Sequence, residues 1–404
     1  MSIVIVGAYG FTNVGDEAML NNVLHGLNSV HRNGARVVSC VNQDSVSKLH
    51  SVDPVCSISP LSLVKNLILL RRKIFTKQIS VIRKMKLLVY GGGSLFTDTK
   101  GLRNIIIILL TVLMARVLRV PVIMWGVSIG PVNTKMGKMI VMLILKLSTL
   151  FIVRDKKSIT IANELYPDNL NIKCGSDLLF NTDISDIKIN IDTDFKVPLQ
   201  VGVSLRPFPA TKDTNFINKD EVLIEGVSLS CQHVLNKLDA QFSLLIFSEG
   251  NDRRDDVGIL NKLKDKLPEN VFTENIGGLL QYPDEKAEFI VNEMLSKIAG
   301  LDIVIGERFH SLVTSALMGV PFIAISYDQK VTELTKICGM EDYCIDFQSD
   351  IDESKLAKEL NDKIEKLLDN YSQVKAMLSS NVTKIQEIAE NDKKTIIAKV
   401  QSYL

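Results

Sequence analysis

Short apolar runs alternate with longer amphipathic stretches along nearly the whole chain, and this alternation most restricts the fold. Runs at 3–6, 37–41, 87–90, 122–125 and 150–153 read as strands. Stretches at 16–30, 61–83, 102–118 and 135–147 between them read as helices. The second half repeats the pattern, with strands at 201–205, 244–247, 303–305, 322–325 and 343–345. Its helices fall at 220–238, 252–267, 285–299, 311–318 and 331–338. Strand–helix alternation of this kind gives parallel sheets covered on both faces. The polar, Asp-bearing stretch 181–197 lacks an apolar period and reads as the junction. The expectation is two Rossmann-like domains, 1–188 and 189–370, followed by C-terminal helices over 371–404 that pack back on the first domain.

The 404 residues suit two domains at about 150 residues each. With 47 Lys and Arg against 46 Asp and Glu, the chain lacks the basic excess of a nucleic-acid binder. Six scattered cysteines, without CxxC spacing, read as reduced thiols of a cytoplasmic protein. No cysteine–histidine pattern suggests zinc. The first residues read as a strand rather than a secretory signal. The apolar runs at 105–115 and 139–145 fall short of the ~20 residues that span a bilayer. A basic stretch, Lys65 to Lys86, is interleaved with Leu67, Ile68, Leu69, Leu70, Ile74 and Ile79. It reads as an amphipathic helix with a solvated face, or as a peripheral contact with the anionic inner face of a membrane.

Five segments at strand ends carry candidate chemistry. Gly7 to Glu17 follows the first strand and holds Gly10, Asn13, Gly15 and Asp16. Its glycine spacing is not the dinucleotide fingerprint. Asp16 and Glu17 are either first-turn acids favoured by the helix dipole or, for Asp16, a group handling a substrate hydroxyl. Gly91-Gly92-Gly93-Ser94 is either a tight turn or a backbone cradle for a ligand. Arg154 and Arg206 each close a strand, where open α/β sheets bind ligands. Arg154 could equally lie on the surface. Arg308-Phe309-His310 and Tyr327-Asp328-Gln329-Lys330 sit one crossover apart, so a guanidinium, an imidazole and an ammonium share one sheet edge. That set suits a ligand with several negative charges. His310 could otherwise be a structural residue at a helix start.

Taken in order, Asn13-Val14-Gly15-Asp16-Glu17, Gly91-Gly92-Gly93, Val153-Arg154-Asp155, Ser204-Leu205-Arg206, Arg308-Phe309-His310 and Tyr327-Asp328-Gln329-Lys330 resemble the polysaccharide pyruvyl transferase family. The resemblance runs from about residue 3 to about residue 346. Phe309 departs from the leucine common in the family. The resemblance implies a two-domain fold like the GT-B glycosyltransferases, with an interdomain cleft. It also implies pyruvyl transfer from phosphoenolpyruvate to a sugar of a surface polysaccharide or its lipid-linked precursor. The product would be a cyclic ketal, with no metal or organic cofactor.

On that reading Arg154, Arg206, Arg308 and Lys330 hold the donor's carboxylate and phosphate. His310 is the general acid, because an imidazole titrates near working pH. Asp16 orients or deprotonates the sugar hydroxyl, and Asn13, Gly15, Gly92, Gly93 and Ser94 face the acceptor. A nucleotide-sugar glycosyltransferase and a non-catalytic binding protein are the alternatives on the same fold.

Overall fold

The computed structural model describes residues 2–403 except 31–34, 41, 100, 168, 191, 209–216, 251–254 and 348–350. Val41 and residues 252–254, assigned above to a strand and a helix, lie outside that set. Two wholly parallel sheets are present. The first has seven strands in the order β3-β2-β1-β4-β5-β6-β7. They are β1 (Ser2–Val6), β2 (Ala35–Ser39), β3 (Asp53–Val55), β4 (Met85–Gly91), β5 (Val122–Val127), β6 (Leu150–Val153) and β7 (Ile172–Cys174). The second has six, in the order β10-β9-β8-β11-β12-β13. They are β8 (Leu199–Ser204), β9 (Ala240–Ile246), β10 (Phe272–Gly277), β11 (Ile303–Gly306), β12 (Phe322–Ser326) and β13 (Cys344–Asp346). This is the pair of Rossmann-like domains expected.

Each sheet reverses its winding once, between β1 and β4 in the first and between β8 and β11 in the second. Ligands of open α/β sheets bind at such points, beyond the carboxyl ends of the strands. The glycine segments after β1 and β4, and Arg206 and Arg308 after β8 and β11, therefore occupy the places where the topology opens a crevice.

The helices are α1 (Val14–Asn28), α2 (Gln43–His50), α3 (Pro60–Ile68), α4 (Arg72–Lys84), α5 (Arg103–Val117), α6 (Lys135–Leu147) and α7 (Lys156–Leu165) in the first half. In the second they are α8 (Ile217–Lys237), α9 (Asp256–Lys264), α10 (Ala287–Ile298), α11 (Phe309–Leu317), α12 (Gln329–Cys338), α13 (Glu353–Asp369) and α14 (Tyr371–Gln401). The stretch 61–83 is two helices, not one. Leu69 ends α3, and Leu70 takes a left-handed φ of 51° before α4 begins.

Two cores result. One lies under the outer helices of the first sheet and includes Leu88, Ile105, Val112, Ile144 and Phe151. The other joins the inner face of the first sheet to the whole second domain, from Ile5, Leu20 and Trp125 to Val203, Ile305 and Phe322. The domains are also joined by backbone. Val14 N–H donates to the Phe247 carbonyl (2.9 Å) and Glu249 N–H to that of Thr12 (3.2 Å). Near the C-terminus, the Asp392 carboxylate on α14 accepts from Ser176 N–H at 3.0 Å.

Candidate active site

A cleft of about 820 Å³ opens between the two sheets. The first domain lines it with the ends of β1, β4, β5 and β6, through Gly7, Ser94, Ser128 and Asp155. The second lines it with Arg206, Phe208, Tyr327 and Lys330, which follow β8 and β12. Phe11 and Tyr90 add aromatic surface.

Three cations gather around two aromatic rings at this edge of the cleft; Arg206, Tyr327 and Lys330 line the cleft itself, whereas Arg154 and Phe309 line a small cavity that shares Lys330 with it. The Arg154 guanidinium stacks 4.5 Å from the Phe309 ring centre, and Lys330 Nζ lies 5.8 Å from the same ring. Lys330 Nζ is also 5.4 Å from the Tyr327 ring, and Arg206 is 4.7 Å from it. Aromatic faces hold cations without neutralising them. They keep like charges close together for a polyanion. Burial would raise the Tyr327 phenol, but the charges of Lys330 and Arg206 outweigh it and hold it below the usual value.

Arg154 is held firmly. Its Nε donates to Ser128 Oγ (2.5 Å), Nη1 to Asp177 Oδ2 (2.6 Å) and Nη2 to Ser94 Oγ (3.1 Å). Three of its five N–H groups are thus committed. Arg154 and Asp177 are both buried, so the pair fixes the guanidinium plane against Phe309. Asp177 has no signal in the sequence beyond being an acid after a short strand.

Arg308 turns away from the cleft. Nε donates to Asp256 Oδ1 at 2.8 Å, and Nη2 contacts the same oxygen. The other Asp256 oxygen accepts from Phe247 and Ser248 N–H, both at 3.0 Å. The neighbouring segment 247–249 pairs with 12–14 of the first domain. Arg308 thus fastens the domain seam, and it is not among the described residues lining the cleft. Nothing in the local sequence marks Asp256.

His310 lies on that seam. Its Nδ1 would sit 2.0 Å from a Cβ placed on Gly15, so only glycine fits at the start of α1. The ring is 5.4 Å from Phe309, which connects it to Arg154 and Lys330. Burial pushes the imidazole down to about 4; Asp177 opposes this, and Arg154, Lys330 and Arg308 add to it. His310 Nε2 is buried without a hydrogen-bond partner. At that value the imidazole is neutral at pH 7, not the imidazolium that a general acid needs.

Asp16 is half-buried on the first turn of α1, one residue from Gly15. Its charge adds to the burial that raises the Tyr9 phenol. Asn13 caps α1, its side-chain oxygen accepting from Asp16 N–H at 3.1 Å. Glu17 closes the glycine loop: Oε1 accepts from Gly10 N–H and Oε2 meets His50 Nε2, both at 2.7 Å. Gly92 takes φ 68°, and a Cβ there would strike the Met19 sulfur at 2.5 Å, so packing accounts for it. Gly93, at φ 86°, would place a Cβ in ordinary contact with Leu95 (3.7 Å), so its backbone conformation and not crowding favours glycine, and Ser94 lines the cleft. Asn13, Gly15, Asp16, Gly92, Gly93, Arg154 and His310 are not among the described lining residues.

Glu307 escaped the sequence reading. It is wholly buried, and its Oε2 accepts from Arg206 N–H at 3.0 Å, tying the ends of β8 and β11 together. Burial pushes its carboxyl up to about 8, against the opposing pull of Arg206 and Arg308.

Among the described residues no group of three or more His, Cys, Asp or Glu is placed to hold a metal ion.

Solved structures of the same fold include a UDP-GlcNAc 2-epimerase from Neisseria meningitidis bound to UDP-GlcNAc. The TM-score is 0.57, with 13% identity over 98% of this chain and 100% of that one. A putative UDP-N-acetylglucosamine 2-epimerase from Listeria monocytogenes gives 0.59, at 11% identity over 96% and 94%. A glycosyltransferase from Rickettsia africae gives 0.55, at 11% over 99% and 98%. These likenesses establish the GT-B-like arrangement of the two domains. A curated relative, the amylovoran biosynthesis protein AmsJ of Erwinia amylovora, is 33% identical over 95 residues. The match spans 24% of this chain and 22% of that protein. The family model for polysaccharide pyruvyl transferases matches residues 13–329, a span that holds Arg154, Arg206, Arg308 and His310 and stops one residue short of Lys330, and on this match the chain belongs to the polysaccharide pyruvyl transferase family.

Proposed function

We propose that the protein transfers a pyruvyl group from phosphoenolpyruvate to two hydroxyls of a sugar in a surface polysaccharide or its lipid-linked precursor. A cyclic ketal forms and phosphate is released. The observation that carries this reading is the array of Arg154, Lys330 and Arg206 around Phe309 and Tyr327. Phosphoenolpyruvate puts a carboxylate and a phosphate on one small frame, and three fixed cations match its charge.

On this reading the donor lies among Arg154, Arg206 and Lys330, while Arg308 keeps the domains aligned. His310 delivers a proton to the donor's methylene carbon. The cation left at C2 takes the first sugar hydroxyl, phosphate departs, and the second hydroxyl closes the ring. Asp16 receives or orients a hydroxyl proton. His310 becomes protonated only once the donor is in place: burial is the larger cause of its low value, and anionic oxygens beside Arg154 and Lys330 offset the cationic field that adds to it. Ser94, Phe11 and Phe208 then face the acceptor.

The test is product analysis with saccharides of the host's own surface polymer. One phosphate released per acid-labile ketal formed is expected. Turnover of a nucleotide sugar, with no consumption of phosphoenolpyruvate, would replace this reading with glycosyl transfer.

A further inference from the structure

The cationic and acidic residues of this near-neutral chain are not evenly spread. Residues 54–154 hold sixteen of the 47 Lys and Arg but one of the 46 acids, Asp98. Asp98 is itself buried, accepting from Asn133 N–H (2.8 Å) and Thr134 N–H (2.7 Å). It offsets nothing at the surface.

The same segment carries an exposed apolar face. On α3 and the turn after it, Ile68 is 72% exposed and Leu70 75%, beside exposed Leu67 and Val64. α5 packs against α3 and α6. It adds Leu113, Leu118 and Val117, the last 82% exposed, and α6 adds Met136 and Met139. Lys65, Arg71, Arg72 and Arg116 stand among these residues, all exposed. The α4 part of the basic stretch differs: Val81 and Ile82 are buried and Lys77 Nζ is held by Asp53 (2.8 Å). α1 and α2 contact α10 of the second domain, whereas α3, α5 and α6 cover the outer core of the first.

We propose that the outer face of the first domain formed by α3, the α3–α4 turn, α5 and α6 docks on an anionic lipid bilayer. Apolar side chains ringed by Lys and Arg, with no acid among them, match a surface of acidic headgroups over hydrocarbon. A large exposed apolar patch on a folded chain marks an interaction surface. Pairing with a second copy is opposed by the charge, because a two-fold contact would press this cationic face against itself. No helix of the described residues is long and apolar enough to cross a membrane, so the contact lies in the interface. α5 also lines the cleft, through Asn104, Ile107 and Ile108. The bilayer would thus abut one wall of the site, where a lipid-linked sugar can enter. The proposal stands whichever group the enzyme transfers.

The experiment is sedimentation of the full chain with vesicles of phosphatidylcholine alone or mixed with phosphatidylglycerol. Binding is expected to the mixed vesicles only, weakening as salt rises. The triple variant Ile68→Glu, Leu70→Glu, Val117→Glu changes only exposed side chains, and its thermal midpoint should match the parent. It should bind at least ~10-fold more weakly, as should Arg71→Gln with Arg72→Gln and Lys73→Gln, at about 1 kcal/mol per cation. Equal binding to both vesicles, no binding at low salt, or unchanged binding by the folded variants would each overturn the proposal. So would a dimer dissolved by the triple variant without any vesicle binding.

Discussion

His310 and Glu307, three residues apart in the sequence, are displaced in opposite directions. The imidazole sits at about 4 and the carboxyl at about 8. For His310 the folded value lies below the unfolded one, so its contribution favours folding at neutral pH and is lost as pH falls from ~6.5 toward 4. For Glu307 the folded value is raised, so its contribution is present below ~4.5 and is lost as pH rises toward 8. Between pH 6.5 and 8 the Glu307 effect acts alone of the two. Stability should decline there by up to about 1.4 kcal/mol per pH unit. Denaturant titrations of Glu307→Gln, which mimics the neutral acid, should show that decline flattened; an identical decline would place it on another group. His310 carries the mechanistic prediction. If the donor raises its pKa, binding must take up a proton. Calorimetry of phosphoenolpyruvate binding near pH 7, in buffers of different ionisation enthalpy, should show that uptake in the parent and its loss in His310→Gln. Equal uptake in both would remove His310 as the acid.

At the scale of elements, the start of α1 is the narrowest fit in the site. Gly15→Ala would drive a methyl into the imidazole, with the new Cβ 2.0 Å from Nδ1 and 2.8 Å from the His310 Cβ, too near the ring's own base for a small rotation to relieve. Overpacking of this kind costs about 1–3 kcal/mol. The variant should melt lower and lose most turnover while donor affinity changes little. Full turnover would show the ring free to move and irrelevant to the step. The long elements were readable because their apolar periods are strong, as in Leu87–Tyr90 of β4 or the core face of α6. Of the edge strands β13 was read, but β3, β7 and β10 were not. β3 is Asp-Pro-Val and β7 Ile-Lys-Cys, too short and polar to carry a period. α7 was missed although Asp155 caps it through Ser158 N–H at 2.7 Å, a pattern visible in the sequence. Within the site, Arg154, Arg206 and Lys330 were legible because each follows an evident strand. Asp177, Asp256 and Glu307 were not, since their partners are 23, 52 and 101 residues away and only the fold brings them together. For the same reason the sequence put Arg308 with the donor, where the structure turns it to Asp256.

Over the whole molecule, two winding reversals face each other across one cleft, and both domains bring cations to it or to the small cavity beside it. The first domain brings Arg154 with its Asp177 counter-ion, and the second brings Arg206 and Lys330 on aromatic supports. A donor bound there touches both domains and should stabilise the chain as a unit. A ligand at a hundred times its dissociation constant adds about 2.7 kcal/mol. Lys330→Met removes one partner of an enclosed charge contact, a loss of ~2–5 kcal/mol in donor binding. The most direct measurement is therefore thermal unfolding of the parent and of Lys330→Met, each with phosphoenolpyruvate and with a panel of nucleotide sugars. The account predicts a rise in midpoint with phosphoenolpyruvate alone, abolished in the variant. A rise with a nucleotide sugar alone, or a phosphoenolpyruvate effect that survives in Lys330→Met, would contradict it.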